Sequence, residues 1–117
     1  MPTTDIKRME ECAEICHECQ DHCLRTISHC LALGGMHASR EHQVMLACCA
    51  DMCNLSHTFL IRQSPQHVHT CRACAEVCRE CAEDCDRLGD DDPVMKDCAE
   101  ACRRCAESCE RMATARV

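Results

Sequence analysis

Seventeen of the 117 residues are cysteine, and most fall at the spacing of a helix face. Cys12, Cys16, Cys19, Cys23 and Cys30 follow one another at intervals of 4, 3, 4 and 7 residues. Cys71, Cys74, Cys78, Cys81 and Cys85 step by 3, 4, 3 and 4, and Cys98, Cys102, Cys105 and Cys109 by 4, 3 and 4. Cys49 and Cys53 make a shorter run, with Cys48 one residue off its register. Such steps stack side chains along one side of an α-helix, the side a bundle normally fills with leucine. A thiol is a small hydrophobe when protonated and a soft metal ligand when ionised. The positions that should make the core are therefore also ligand positions.

Four chemistries compete for them. Disulfides fit poorly: the count is odd, the chain has only 3 Gly and 3 Pro, and disulfide scaffolds are rich in loops. Helical neighbours at i, i+4 also hold their Cβ atoms about 5–6 Å apart, wider than the roughly 3.5–4.5 Å a disulfide takes. Zinc is suggested by the C-x-x-C pairs 16/19, 71/74, 78/81 and 102/105. Yet these pairs overlap within continuous stripes, and four Zn²⁺ among seventeen thiolates would leave about nine buried negative charges. An iron–sulfur cluster needs a compact ligand loop, whereas the first stripe alone extends roughly 27 Å along a helix. Cu(I) is monovalent, soft and satisfied by few thiolates, so one ion per thiolate leaves the interior neutral. Seven C-x-x-x-C pairs offer half-built sites: 12/16, 19/23, 49/53, 74/78, 81/85, 98/102 and 105/109. If each thiolate bridges two ions and each ion takes two thiolates, capacity is about one Cu(I) per cysteine.

Composition narrows the class further. Leu, Ile, Val and Phe total only 17 residues, and Phe59 is the one aromatic, so cysteine must supply the interior if the chain packs at all. A net charge of −7 argues against nucleic acid as a partner, because that requires a basic face. There is no uninterrupted run of 18 apolar residues and hence no expected membrane span. Met1 through Arg8 holds neither an apolar signal segment nor a twin-arginine motif, which places the expected location in the cytoplasm, where thiols stay reduced. No catalytic constellation stands out, and the chain is not expected to be an enzyme.

Three breaks divide the chain. Gly34-Gly35, Ser64-Pro65 and the segment from Gly89 to Pro93 separate helices expected at about 5–33, 40–61, 66–88 and 93–112. Ser39, Ser64 and Asp92 are the expected N-caps, with Pro65 and Pro93 at first helical positions. Connections this short imply an all-α fold, an antiparallel up-down-up-down four-helix bundle, as a single domain over 1–117. A repeat underlies it: residues 12–23 read CAEICHECQDHC, 74–85 read CAEVCRECAEDC and 98–109 read CAEACRRCAESC. The second helix is a decayed copy, with Ser56 and Leu60 at the two positions after Cys53. The charged positions between the stripes, such as Glu76, Arg79, Glu80 and Arg87, read as a solvated outer face.

With its four segments and its C-A-E-x-C-x-x-C-x-x-x-C blocks, the chain resembles the bacterial four-helix-bundle copper storage proteins, and specifically their cytosolic branch. The resemblance covers essentially the whole chain. It implies storage and detoxification of many Cu(I) ions by thiolates inside the bundle, and assembly as a homotetramer. The metal ligands it implies are Cys12, Cys16, Cys19, Cys23, Cys30, Cys48, Cys49, Cys53, Cys71, Cys74, Cys78, Cys81, Cys85, Cys98, Cys102, Cys105 and Cys109. Thr26, Ser56 and Leu60 depart from the pattern and should thin the copper sites locally. Copper ions, and a copper chaperone that delivers them, are the expected partners. A zinc or mixed-metal buffer, a thiol-redox module and a purely structural bundle are the rival readings.

Antiparallel order sorts the remaining soft ligands by end. Met36, His37, His42, Met45 and Met95 gather at one end, where Asp90, Asp91 and Asp92 add negative potential, and this end is the expected mouth for copper. Met9, His67, His69 and Met112 gather at the other, beside Phe59, Leu60 and Ile61, which read as a plug. His17, His22 and His29 flank cysteines and read as exposed.

Overall fold

The computed structural model describes residues 3–114, which form four α-helices: α1 (Thr3–Leu33), α2 (Arg40–Ile61), α3 (His67–Gly89) and α4 (Pro93–Thr114). They pack as an antiparallel bundle with extents of 49 × 19 × 17 Å, and no strand occurs among the described residues. Each helix has a stripe-shaped reason to be there. The C-A-E blocks place Cys inward, Ala at the helix–helix seam and Glu outward. Ala13, Ala75, Ala82, Ala99 and Ala106 are all buried, and a side chain that small lets neighbouring helices approach closely. Ion pairs across the outer seams, Arg103 to Asp86 at 2.8 Å and Arg79 to Glu110, add little because both partners are exposed.

The connections explain where the helices stop. Gly34 and Gly35 take φ of 77° and 58°, a region that favours residues without Cβ, and a 3₁₀ turn over Gly35–Ala38 follows. Ser39 then caps α2, its Oγ accepting from the His42 amide at 3.3 Å. At the end of α2, Gln63 sits at φ 58° and the Ser64 amide donates to Phe59 at 3.1 Å, a Schellman closure with glutamine where glycine is usual. Ser64 therefore terminates α2 rather than capping α3. Its Oγ accepts from the Gln66 amide at 3.1 Å, Pro65 lies in the turn, and α3 begins at His67. Before α4, Asp92 Oδ1 accepts from the Val94 and Met95 amides at 2.9 and 3.3 Å. Gly89 is needed for space, since a Cβ there would lie 2.7 Å from the Met95 Cβ.

By length and composition α2 is apolar enough to cross a membrane, although it contains no unbroken run of 18 apolar residues. In the bundle its apolar residues do different work. His42, Leu46, Cys49, Ala50, Cys53, Ser56 and Leu60 are buried against the other helices.

Candidate metal centre

Sixteen of the seventeen thiols converge on the bundle axis and are buried, and none forms a disulfide. Twelve of them form overlapping groups, within each of which the sulfurs all lie within 4.8 Å of one another. From the α2–α3 end the groups are Cys12–Cys71–Cys109, Cys16–Cys74–Cys105–Cys109, Cys19–Cys53–Cys78–Cys105 and Cys19–Cys23–Cys49–Cys102. Successive groups share Cys109, Cys105 and Cys19, so the thiols make a ladder rather than separate sites. Cys98 continues it at 4.0 Å from Cys23, followed by buried Cys81 and Cys85.

The spacing within the ladder matches the sulfur–sulfur edges of trigonal and tetrahedral thiolate sites. Contacts run from 3.5 Å for Cys16–Cys109 through 3.7 Å for Cys49–Cys78 to 4.0 Å for Cys53–Cys74. With metal–sulfur bonds of about 2.3 Å, two sulfurs stand about 4.0 Å apart on a trigonal ion and about 3.8 Å on a tetrahedral one. A linear two-thiolate site would need about 4.6 Å. The packed thiols are thus already near the edge length of three- and four-thiolate sites.

Ionising this ladder without a cation is costly. Hydrogen bonds with Cys105, Cys19, Cys49 and Cys53 hold the Cys78 thiol above the ordinary thiol range, and burial adds to them. Hydrogen bonds from Cys102, Cys19 and Cys23 pull Cys49 the other way, against burial. Each of these hydrogen bonds needs a proton on one of its two sulfurs, so the ladder does not ionise as a whole without a compensating cation. A monovalent cation per thiolate removes that constraint.

The two ends differ. At the α1–α2 and α3–α4 end, Cys30 Sγ lies 3.4 Å from His42 Nε2, 3.4 Å from Met95 Sδ and 3.9 Å from His37 Nδ1. Behind His42, Asp84 Oδ2 accepts from Nδ1 at 2.6 Å. That bond leaves Nε2 as the acceptor nitrogen facing Cys30, the arrangement by which a carboxylate orients a ligating imidazole. Burial first, then the charges of Asp92, Cys98 and Asp84, push the Cys30 thiol up to about 11. The hydrogen bond from His29 at 2.7 Å is the main reason that Asp92 is held below the usual carboxylate range. At the opposite end Met9 and Leu60 are buried, His67 Nδ1 donates to the Ser64 carbonyl at 2.7 Å, Phe59 is half-buried and Ile61 exposed.

Several expected ligands land elsewhere. Cys48 is exposed on the outside of α2 and belongs to none of the groups, because one residue off the stripe rotates a side chain by about 100°. It is corrected from a core ligand to a surface thiol. Met36 is 68% exposed and Met45 packs half-buried against the core, so neither joins the Cys30 cluster. Thr26 occupies the gap between Cys23 and Cys30, its hydroxyl donating to the His22 carbonyl at 2.7 Å. Ser56 is buried in the α2 column with no hydrogen-bond partner for Oγ among the described residues. Asp84 was missed: in the run Glu83-Asp84-Cys85-Asp86 it reads as one more outward charge, and only the packing of α3 on α2 turns it inward.

Known proteins place this arrangement. The sequence profile described as copper storage protein matches residues 5–114. Comparison with curated protein sequences gives no match. Among solved structures, the Nmul_A1745 protein of Nitrosospira multiformis is similar at a TM-score of 0.85 and 35% identity, over 92% of this chain and 95% of that one. The Cu(I)-bound copper storage protein BsCsp3 is similar at 0.84 and 31% identity, over 92% and 99%. The apo form of copper storage protein 3 from Bacillus subtilis is similar at 0.80 and 31% identity, over 90% and 98%.

Proposed function

Because the chain belongs to the copper storage protein family, we propose that it stores Cu(I) along its thiol ladder as a copper reservoir. The observation that carries this reading is the sharing of thiols between successive groups. Bridging ligands suit a polynuclear thiolate chain, and a monovalent ion keeps the interior neutral as each ion displaces a thiol proton. Separate zinc sites would need closed ligand sets. The same burial makes the thiols poor catalytic nucleophiles, which supports storage without turnover.

Cys30, His42, Met95 and His37 serve as the loading site. Thiolate, imidazole and thioether suit a Cu(I) ion in transit, and Asp84 holds His42 in its ligating tautomer. The protein works in the reducing cytoplasm, receives copper from a chaperone and associates with copies of itself. Self-association is supported by the outer faces of α1 and α2, where Leu24, Leu31, Val44 and Leu55 are 50%, 57%, 42% and 43% exposed.

Anaerobic titration of the reduced protein with Cu(I) against a competing chelator tests the core of this reading. Uptake near the number of buried thiols supports storage. About four divalent ions in a parallel Zn²⁺ titration, with little Cu(I), would overturn it.

A further inference from the structure

The storage reading leaves open how copper comes out, and one surface feature bears on that. Between α1 and α4, at the end away from His42, lies a groove of about 410 Å³, lined among others by Arg8, Glu11, Cys12, Ser108, Arg111 and Met112. It is of the size that accepts a small molecule, roughly 300–1,000 Å³. Cys12 closes the ladder at this end, 3.9 Å from Cys109. It is also 2% exposed where most of the ladder thiols are fully buried, so the ladder comes nearest to solvent here. Met112 adds a thioether on the same wall.

Charge makes the groove selective. Arg79, Arg103 and Arg104 pair with Glu110, Asp86 and Glu18, but neither Arg8 nor Arg111 has a carboxylate within salt-bridge distance among the described residues. Two guanidinium groups against Glu11 leave a positive rim on a chain of net charge −7. Such a rim draws in a small anion and orients its carboxylate.

We propose that this groove is a lateral release port, where a small carboxylate-bearing thiol docks between Arg8 and Arg111 and takes Cu(I) from Cys12. It rests on the storage reading and adds the exit to it. In the exchange the incoming thiol gives up its proton and its sulfur forms the new Cu–S bond. The Cu–S bond to Cys12 breaks, the Cys12 thiolate takes up the proton, and copper remains Cu(I). Cys109, shared between the first two groups, refills Cys12 from the ladder.

The test uses the Cu(I)-loaded full chain under anaerobic conditions. Copper leaving the protein is measured after rapid desalting, with excess 3-mercaptopropionate or its neutral amide. Arg8→Glu with Arg111→Glu should slow extraction by the carboxylate about tenfold at low salt and leave the amide within about twofold. Arg62→Glu with Arg72→Glu, an equal charge change at the same end but outside the groove, should leave both rates within about twofold. Equal slowing by the two double variants, equal slowing of the amide, or no slowing would each overturn the port. An unaltered protein that takes up no Cu(I) would strike the storage reading instead.

Discussion

The two ends of the bundle carry different side-chain chemistry on the same scaffold. Where α1 meets α2 and α3 meets α4, Cys30, His42 and Met95 bring thiol, imidazole and thioether to contact distance, with the carboxylate of Asp84 behind them. Where α2 meets α3, Met9 and Leu60 fill the core and His67 spends its Nδ1–H on a backbone carbonyl. Both ends are buried, so burial does not distinguish them. Donor chemistry does: one end offers a metal three kinds of soft or borderline ligand, and the other is closed along the bundle axis by packed side chains, with Cys12 reaching solvent only sideways through the groove between α1 and α4. Between them runs the thiol ladder, interrupted by Thr26 on the Cys30 side.

Breaking the ladder that joins the ends should have the largest effect. Cys19→Ser with Cys105→Ser removes two sulfurs that each belong to two groups. Anaerobic titration should show a loss of several Cu(I), more than the two ions removed if sites were independent. A loss of two or fewer would mean that sharing does not matter.

Next in size is the sealed end. Leu60→Ala should cost about 2–5 kcal/mol of apo stability in a denaturant titration, with copper loading rates unchanged. A loading defect there without a stability loss would make the far end a second loading site and erase the contrast. At the Cys30 end, if it is the loading site, His42→Ala should slow loading by about tenfold while lowering capacity by one ion at most, read by stopped-flow ultraviolet absorption. Asp84→Asn should shift the same rate in the same direction by less, since it removes the orienting partner and keeps the ligand.

The pH response sharpens the comparison. Cys30 ionises at about 11 in the folded chain and near 9.0 when unfolded, so folding favours its protonated form. Its contribution is full below about pH 9 and falls by about 1.4 kcal/mol per unit up to pH 11. The apo protein should lose melting temperature across that window, whereas the copper-loaded protein, with no proton left at Cys30, should not. The smallest effect is expected from Cys48→Ser, which should change neither capacity nor stability measurably.

Much of this was legible in the amino-acid order. Steps of three and four set the cysteines on faces, and Gly34, Pro93 and Asp92 sit where backbone geometry demands them. The grouping of His37, His42 and Met95 followed from antiparallel order alone. Other residues escaped. Cys48 differs from Cys49 by one position, and nothing local says which of two adjacent thiols a bundle will bury. Ser64 carries a good capping side chain, but the reversal at Gln63 claims its backbone first. Asp84 has the appearance of an outer-face charge until His42 is brought against it.

The amino-acid sequence by itself determined that this protein is a helical bundle with a thiol interior, because hydrophobic period and loop length are local properties. Only the tertiary structure decided which thiols come within reach of one another, which end carries a carboxylate-backed histidine, and where the ladder comes nearest to water. Those depend on the relative rotation and axial offset of helices distant in sequence, and a shift of one residue in either would put different sulfurs within reach of each other.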